Sequence, residues 1–179
     1  MKNKLVIYLA ISSFCLTSCS KPVPSDPVCR VDQSEYPQQT ANAACLIRLG
    51  DKLVTITQRL SGKLDLPGGT SDNIESAKCT AHRETWEETG FNVEVRQLLG
   101  TNNKGMRFYE CNLAADFDDS FVEFPVPEWS ALEVSSIQLV DPYVTDFNQW
   151  RFPEELTHVR EMFNKVEDSA IQPKPDHIK

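Results

Sequence analysis

GTSDNIESAKCTAHRETWEETGF, residues Gly69 to Phe91, is the stretch that decides the reading. From Ile74 or Glu75 to Thr89 it holds no proline or glycine and is rich in helix formers. The Ser71-Asp72-Asn73 cluster before it offers side-chain oxygens to cap the orphan N–H groups of a helix. Gly90 supplies the residue that ends one. At about 100° per residue, Glu84, Glu87 and Glu88 share one edge of that helix, and Ala77, Ala81 and Thr85 form an adjoining small stripe able to press against a sheet. Like charges at i, i+3 and i+4 cost a helix about 0.2–0.5 kcal/mol per pair, and more beside its negative C-terminal end. A cation should compensate, and grouped carboxylates suit Mg²⁺, with Mn²⁺ the alternative.

Working outward, Ala41 to Leu49 reads as a buried strand joined through Gly50-Asp51 to a second, Lys52 to Gln58. Leu64 to Leu66 is a short extended piece stopped by Pro67-Gly68-Gly69. Beyond the helix, Asn92 to Leu99, Met106 to Ala114 and Ser135 to Val140 read as strands. Pro153 to Val166 reads as an amphipathic helix with proline at its start. Strands with one helix between them and another at the end predict an α/β layer structure with a mixed sheet.

The spacing also carries a resemblance. Gly69, five residues, Glu75, seven residues, then Arg83-Glu84-Thr85-Trp86-Glu87-Glu88-Thr89-Gly90-Phe91, preceded by Leu66-Pro67-Gly68, resembles the Nudix box over 23 residues. One position departs from it: the residue after Arg83-Glu84 is normally aliphatic and here is Thr85, on the sheet-facing side. The resemblance implies the Nudix α/β/α sandwich with a mixed β-sheet, and hydrolysis of a diphosphate linkage in a nucleoside diphosphate derivative. It implies Glu84, Glu87 and Glu88 as metal ligands with the Gly69 carbonyl, and Arg83 beside them in the catalytic set. Glu75 would pair with Arg83 to brace loop to helix, with Gly68 and Gly90 supporting the site. The general base is not fixed by the box. Glu84 and the later acidic loop, with Asp116, Asp118, Asp119 and Glu123, stay open, and that loop reads more simply as a solvated turn. Tyr109 faintly resembles a marker of dinucleoside polyphosphate hydrolysis, but its strand-like surroundings suit an ordinary packed tyrosine.

The 179 residues have room for one core of ordinary size, and a net charge of −8 with no basic run disfavours nucleic-acid binding. An acidic chain that acts on an anion needs a cation or local basic groups, which the glutamate edge would recruit. Residues 1–18 have the layout of an export signal: Lys2 and Lys4, an apolar stretch from Leu5 to Leu16, then small polar residues. That stretch is shorter than the roughly 20 residues a spanning helix needs. Leu16-Thr17-Ser18-Cys19 resembles a bacterial lipobox, which implies lipidation at Cys19 and a membrane anchor facing the periplasm; Ser20 favours the outer membrane. Residues 19–35, with three prolines in six positions, read as a tether; 36–168 as the domain; and 169–179 as a polar tail.

Cys29, Cys45, Cys79 and Cys111 remain, and in an oxidising compartment they are disulfide candidates with three pairings open. Cys79 and His82, three apart on the helix, lack the two further ligands zinc would need. With Trp86 they lie away from the small stripe, facing the N-terminal segment. Three functions follow: a diphosphate hydrolase, a catalytically weak nucleotide-binding sensor or interaction module on the same fold, and a structural envelope lipoprotein. The intact glutamate set argues for the first. Nothing in the sequence sets an oligomeric state.

Overall fold

The computed structural model describes residues 24–31, 39–72, 74–113 and 123–166. The export signal, Cys19, Asn73, the acids at 116, 118 and 119 and the tail lie outside them. Chain order runs β1 (Ala43–Leu46), β2 (Arg48–Leu49), β3 (Lys52–Gln58), β4 (Lys63–Asp65), β5 (Gly68–Gly69), α1 (Ala77–Thr89), β6 (Glu94–Thr101), β7 (Arg107–Asn112), β8 (Glu123–Phe124), β9 (Val134–Val140) and α2 (Leu156–Phe163).

Two sheets form. One is mixed, ordered β5-β1-β7-β6, with β1 parallel to β7 and the other pairs antiparallel. The other is antiparallel, ordered β2-β3-β9-β8 with β4 on β3. The single strand expected over Ala41–Leu49 is therefore divided: β1 joins the first sheet and β2 the second. Both its faces are apolar, so no period-2 pattern marks the division, and the Gly50-Asp51 hairpin closes only β2 onto β3.

Alternation along β1 organises the core. Ala43, Cys45 and Ile47 face a cluster that includes Ala77 and Ala81 of α1. Ala44 and Leu46 face a second cluster with Phe108 and with Leu156, Val159, Met162 and Phe163 of α2. Helices thus cover opposite faces of the mixed sheet, which is the expected α/β/α sandwich. Both clusters are built from hydrophobic side chains, and a large buried one contributes about 1.5–3 kcal/mol.

Each helix is shorter than its sequence pattern suggested. Helix α1 starts at Ala77, because Ser76 is extended and its Oγ accepts from the Cys79 N–H at 3.3 Å, displacing the Ser71-Asp72 cluster as the cap. Glu75 is thereby left outside the helix, free to turn towards Arg83. At the other end Gly90 is left-handed, φ 75°, and its N–H donates to the Trp86 carbonyl at 2.8 Å. Before α2, Pro153–Glu155 form a 3₁₀ turn, so the α-helix proper covers only Leu156–Phe163.

The stripe Ala77, Ala81 and Thr85 is buried against the sheet, as its spacing predicts. The Thr85 hydroxyl finds no hydrogen-bond partner among the described residues. A buried unsatisfied hydroxyl costs about 1–3 kcal/mol, so Thr85→Val should stabilise the protein by about 1 kcal/mol. Urea unfolding checks this: a higher midpoint at unchanged slope is expected, and a lower one would mean that the hydroxyl is partnered.

Two disulfides fix the pairing that spacing left open: Cys29–Cys79 and Cys45–Cys111. The second is buried in the mixed sheet, between β1 and β7. The first fastens the N-terminal segment to α1. The Val95 N–H also donates to the Arg30 carbonyl at 2.9 Å, and Val31 bridges Val95. Residues 29–31 of the expected tether are thus part of the fold. With Cys79 in a disulfide and His82 Nε2 bonded to Asn92 Oδ1 at 3.0 Å, no zinc pair exists there. Tyr109 is a buried strand residue of β7. Among the described residues no helix is long and apolar enough to cross a membrane.

Candidate active site

Strand β5 lies beside β1 because Gly68 and Gly69 let two backbones meet. A Cβ on Gly68 would stand 2.5 Å from the Ala43 carbonyl oxygen and the Ala44 Cα. A Cβ on Gly69 would stand 2.3 Å from Glu84 Oε2. The second figure places the Glu84 carboxylate directly on the β5 backbone, the approach expected if that carboxylate and the Gly69 carbonyl serve one site.

Arg83 gathers the acids around it. Its Nε donates to both Glu75 carboxylate oxygens at 3.2 Å, and Nη2 donates to Glu75 Oε2 at 3.0 Å and to the Thr70 carbonyl at 2.9 Å. Its Nη1 donates to Glu84 Oε1 at 2.9 Å and Glu87 Oε2 at 3.1 Å. Thr80 Oγ1 donates to Glu75 as well. Glu75 and Arg83 therefore brace the loop after β5 against α1. Arg83 also supplies the positive charge between Glu84 and Glu87.

Glu88 is handled differently. It is buried, with Oε2 accepting the Gly68 N–H at 2.8 Å and Oε1 accepting from Gln58 Nε2 at 3.4 Å. Burial pushes its carboxyl well above the ordinary carboxylate range, despite the Gly68 N–H. Burial also raises Glu84 and Glu87, with Arg83 pulling both back. Gln58 had no signal in the sequence: its role depends on β3 passing beside the end of α1.

Among the described residues no three or more His, Cys, Asp or Glu side chains converge into a ready metal cage. Between Glu84 and Glu87 stands Arg83 Nη1. The residues nevertheless fit a hard divalent ion in kind: every donor is a carboxylate or carbonyl oxygen, the acids are partly desolvated, and two of them already share one cationic atom. Of the later acidic loop only Glu123 is described, exposed in β8 and paired in register with Gln138.

A cleft of about 180 Å³ opens from the Gly68-Gly69-Thr70 loop. Gly68, Gly69 and Thr70 form one end, and Asn42, Ala44, Leu66, Met106, Phe108, Asp65, Arg151, Phe152 and Glu155 line the rest. The wall after Trp150 is pinned to β4: the Arg151 N–H donates to the Leu64 carbonyl at 2.9 Å, and Arg151 Nη1 pairs with Asp65 Oδ2 at 3.1 Å. Burial pushes Asp65 up to about 6 from an ordinary 3.8, against the lowering effect of Arg151.

Between those two values the native state keeps a proton on Asp65 that the unfolded chain has released. Stability therefore falls as pH rises from about 3.8 to about 6. The Asp65→Asn protein should lose that part of the slope, as read from urea midpoints between pH 4 and 7. Identical slopes for the two proteins would show that Asp65 titrates normally.

Comparison with known proteins agrees with this architecture. A profile of the NUDIX domain matches residues 38–170. A MutT-like protein of Streptomyces ambofaciens is 26% identical over 106 residues, 56% of this chain and 69% of that protein. The fold is similar to an ADP-ribose pyrophosphatase from Streptococcus suis, with TM-score 0.53 and 19% identity, covering 69% of this chain and 89% of that one. It is also similar to a NUDIX hydrolase from Nitrosomonas europaea, with TM-score 0.54 and 18% identity, covering 76% and 98%. Members of this family act on small-molecule diphosphates and generally use divalent cations. With the box lying inside the sandwich and inside the matched residues 38–170, the chain belongs to the NUDIX domain family, as a Nudix hydrolase.

Proposed function

We propose that this protein hydrolyses a diphosphate linkage in a nucleoside diphosphate derivative, with Mg²⁺, at the cell envelope. The observation that carries the reading is the Glu84, Glu87 and Glu88 edge of α1, set against the Gly68-Gly69 backbone at the mouth of a cleft. Glu84 and Glu87, with the Gly69 carbonyl and Glu88, would hold the ion, Mg²⁺ or Mn²⁺. When bound, such an ion neutralises diphosphate oxygens and lowers the pKa of a coordinated water.

The chain's own residues supply the rest. Arg83 and Glu75 keep the β5 loop in place against α1, and Glu88 fixes that loop through the Gly68 N–H. The ADP-ribose pyrophosphatase among the structural neighbours is consistent with a nucleoside diphosphate sugar as substrate class.

A panel of such compounds assayed with Mg²⁺, scoring nucleoside monophosphate and phosphate release, tests the activity. Chelation should abolish turnover and Mg²⁺ should raise the unfolding temperature, since a ligand that binds only the folded state stabilises it. Metal-independent turnover would overturn the assignment.

The location rests on the signal-like N-terminus and the lipobox at Cys19, and two disulfides suit an oxidising compartment outside the cytosol. Cells fed a labelled fatty acid should label the parent protein and not Cys19→Ser. Equal labelling of both would exclude Cys19 as the anchor.

A further inference from the structure

We propose that the Cys29–Cys79 disulfide is a reversible redox site, which a dithiol reductant opens in the folded protein, freeing the N-terminal segment from α1. Diphosphate hydrolysis plays no part in it.

The two disulfides differ in what can reach them. Cys45 and Cys111 are 0% exposed, so an incoming thiol meets their bond only when the sheet opens. Cys29 and Cys79 are both part-exposed, and Ser25, Asp26, Val28 and Arg30 beside Cys29 are exposed. Thiol–disulfide exchange requires access to one of the two sulfurs, and in the native state the surface bond alone offers it.

The place of Cys79 on α1 favours the open form. With Ser76 as the cap, Cys79 is the third residue of the helix, where the N-terminal end of the helix dipole stabilises negative charge. No acidic side chain stands in that first turn to oppose it. Cys79 is therefore the better leaving thiolate, and attack falls on Cys29 Sγ. The first thiolate of the reductant bonds to Cys29 Sγ, the S–S bond breaks, and its electron pair goes to Cys79 Sγ. The second thiolate then displaces Cys29 Sγ. The reductant leaves as a disulfide, and the protein has gained two electrons and two protons.

The fold has other ties that survive the opening. Val31 bridges Val95, the Val95 N–H donates to the Arg30 carbonyl at 2.9 Å, and Arg30 Nη1 donates to the Asn92 carbonyl at 2.9 Å. Release is thereby confined to the residues before Arg30. That stretch runs along α1 towards the glutamates, since Asp26 is among the like charges felt by Glu87. Three extended residues reach about 10 Å, and positions eight apart on a helix are separated by about 12 Å. Opening the bond therefore lets one carboxylate move away from the glutamate edge.

Timed alkylation of the native protein tests this. The full folded protein is held in dilute dithiothreitol, quenched with iodoacetamide at intervals and mapped by peptide mass. Cys29 and Cys79 should take the label together, at least about 10²-fold faster than Cys45 and Cys111, whose opening waits on unfolding. Oxidised glutathione should restore the bond. With reduced glutathione, a monothiol, in place of the dithiol, the mixed disulfide should form on Cys29 and the free thiol on Cys79.

Amide spectra of the protein reduced at this one bond should keep the shifts of both sheets and change only around residues 24–31 and the first turns of α1. Cys29→Ser/Cys79→Ser, which fixes the open form, should give the same spectrum and take no label on that timescale. The Glu87→Gln/Glu88→Gln protein should open at the parental rate, so a failure of the hydrolase reading stays distinguishable from a failure of this one. Absence of label at Cys29 and Cys79, labelling of all four cysteines at one rate, loss of the folded spectrum as the first pair reacts, or a mixed disulfide confined to Cys79 would each overturn the proposal.

Discussion

Glu87→Gln/Glu88→Gln should turn over the best substrate at least about 10³-fold more slowly than the parent, since removing even one preorganised charge-stabilising group commonly costs about 10²–10³ in kcat. The geometry makes this a test of chemistry and not of folding. Glutamine at 88 keeps an oxygen for the Gly68 N–H, so the loop restraint at 2.8 Å survives. Glutamine at 87 gives up one of the two acids on Arg83 Nη1, and Glu84 and Glu75 still hold that guanidinium.

Both replacements also remove a carboxyl group whose charged form burial disfavours. The variant should therefore unfold at or above the parental temperature without metal, and Mg²⁺ should no longer raise it. Loss of activity with retained stability is the signature expected of a strained functional site. Parental turnover in this variant would remove the metal assignment altogether.

The second large effect is on stability. Cys45→Ala/Cys111→Ala should lower the unfolding free energy by about 4 kcal/mol, the chain-entropy value for a loop of 66 residues. Domains of this kind are held by about 5–15 kcal/mol, so such a loss is a large fraction of the total. The bond joins two central parallel-paired strands, and parallel pairing has the longest closure to overcome. Both sulfurs are inaccessible, so a mild reductant should leave the native bond intact until the sheet opens. Denaturant curves of the variant and the parent measure the difference. A loss under 1 kcal/mol would show that the sheet holds without the cross-link.

Legibility in the sequence followed the range of the physics involved. Helix α1 was readable because its determinants are local: a 3.6-residue period, no breakers over 13 residues and a glycine stop. So were the three glutamates, whose crowding makes sense only with a cation nearby. The start of α1 was misplaced because three residues before Ser76 offered equivalent capping oxygens, and only the backbone angle at Ser76 chooses.

The division of Ala41–Leu49 between two sheets left no trace, since a run buried on both faces carries no alternation. Asp65 and Arg151 stand far apart in the chain and meet only when the fold brings the lead-in to α2 alongside β4. No spacing rule could have paired them. The cysteine partners were undetermined for the same reason: connectivity is a property of the packed chain.

The Cys29–Cys79 bond has a mechanical consequence. A tug on the leading end of the polypeptide reaches residue 29 and crosses the sulfur bridge into α1 at residue 79. The backbone carries the remainder into Arg30 and Val31, which Val95 of β6 holds. Load applied at residue 29 therefore divides between β6 and the helix that bears the glutamates, and through Arg83 and Glu88 it reaches the glycine loop as well.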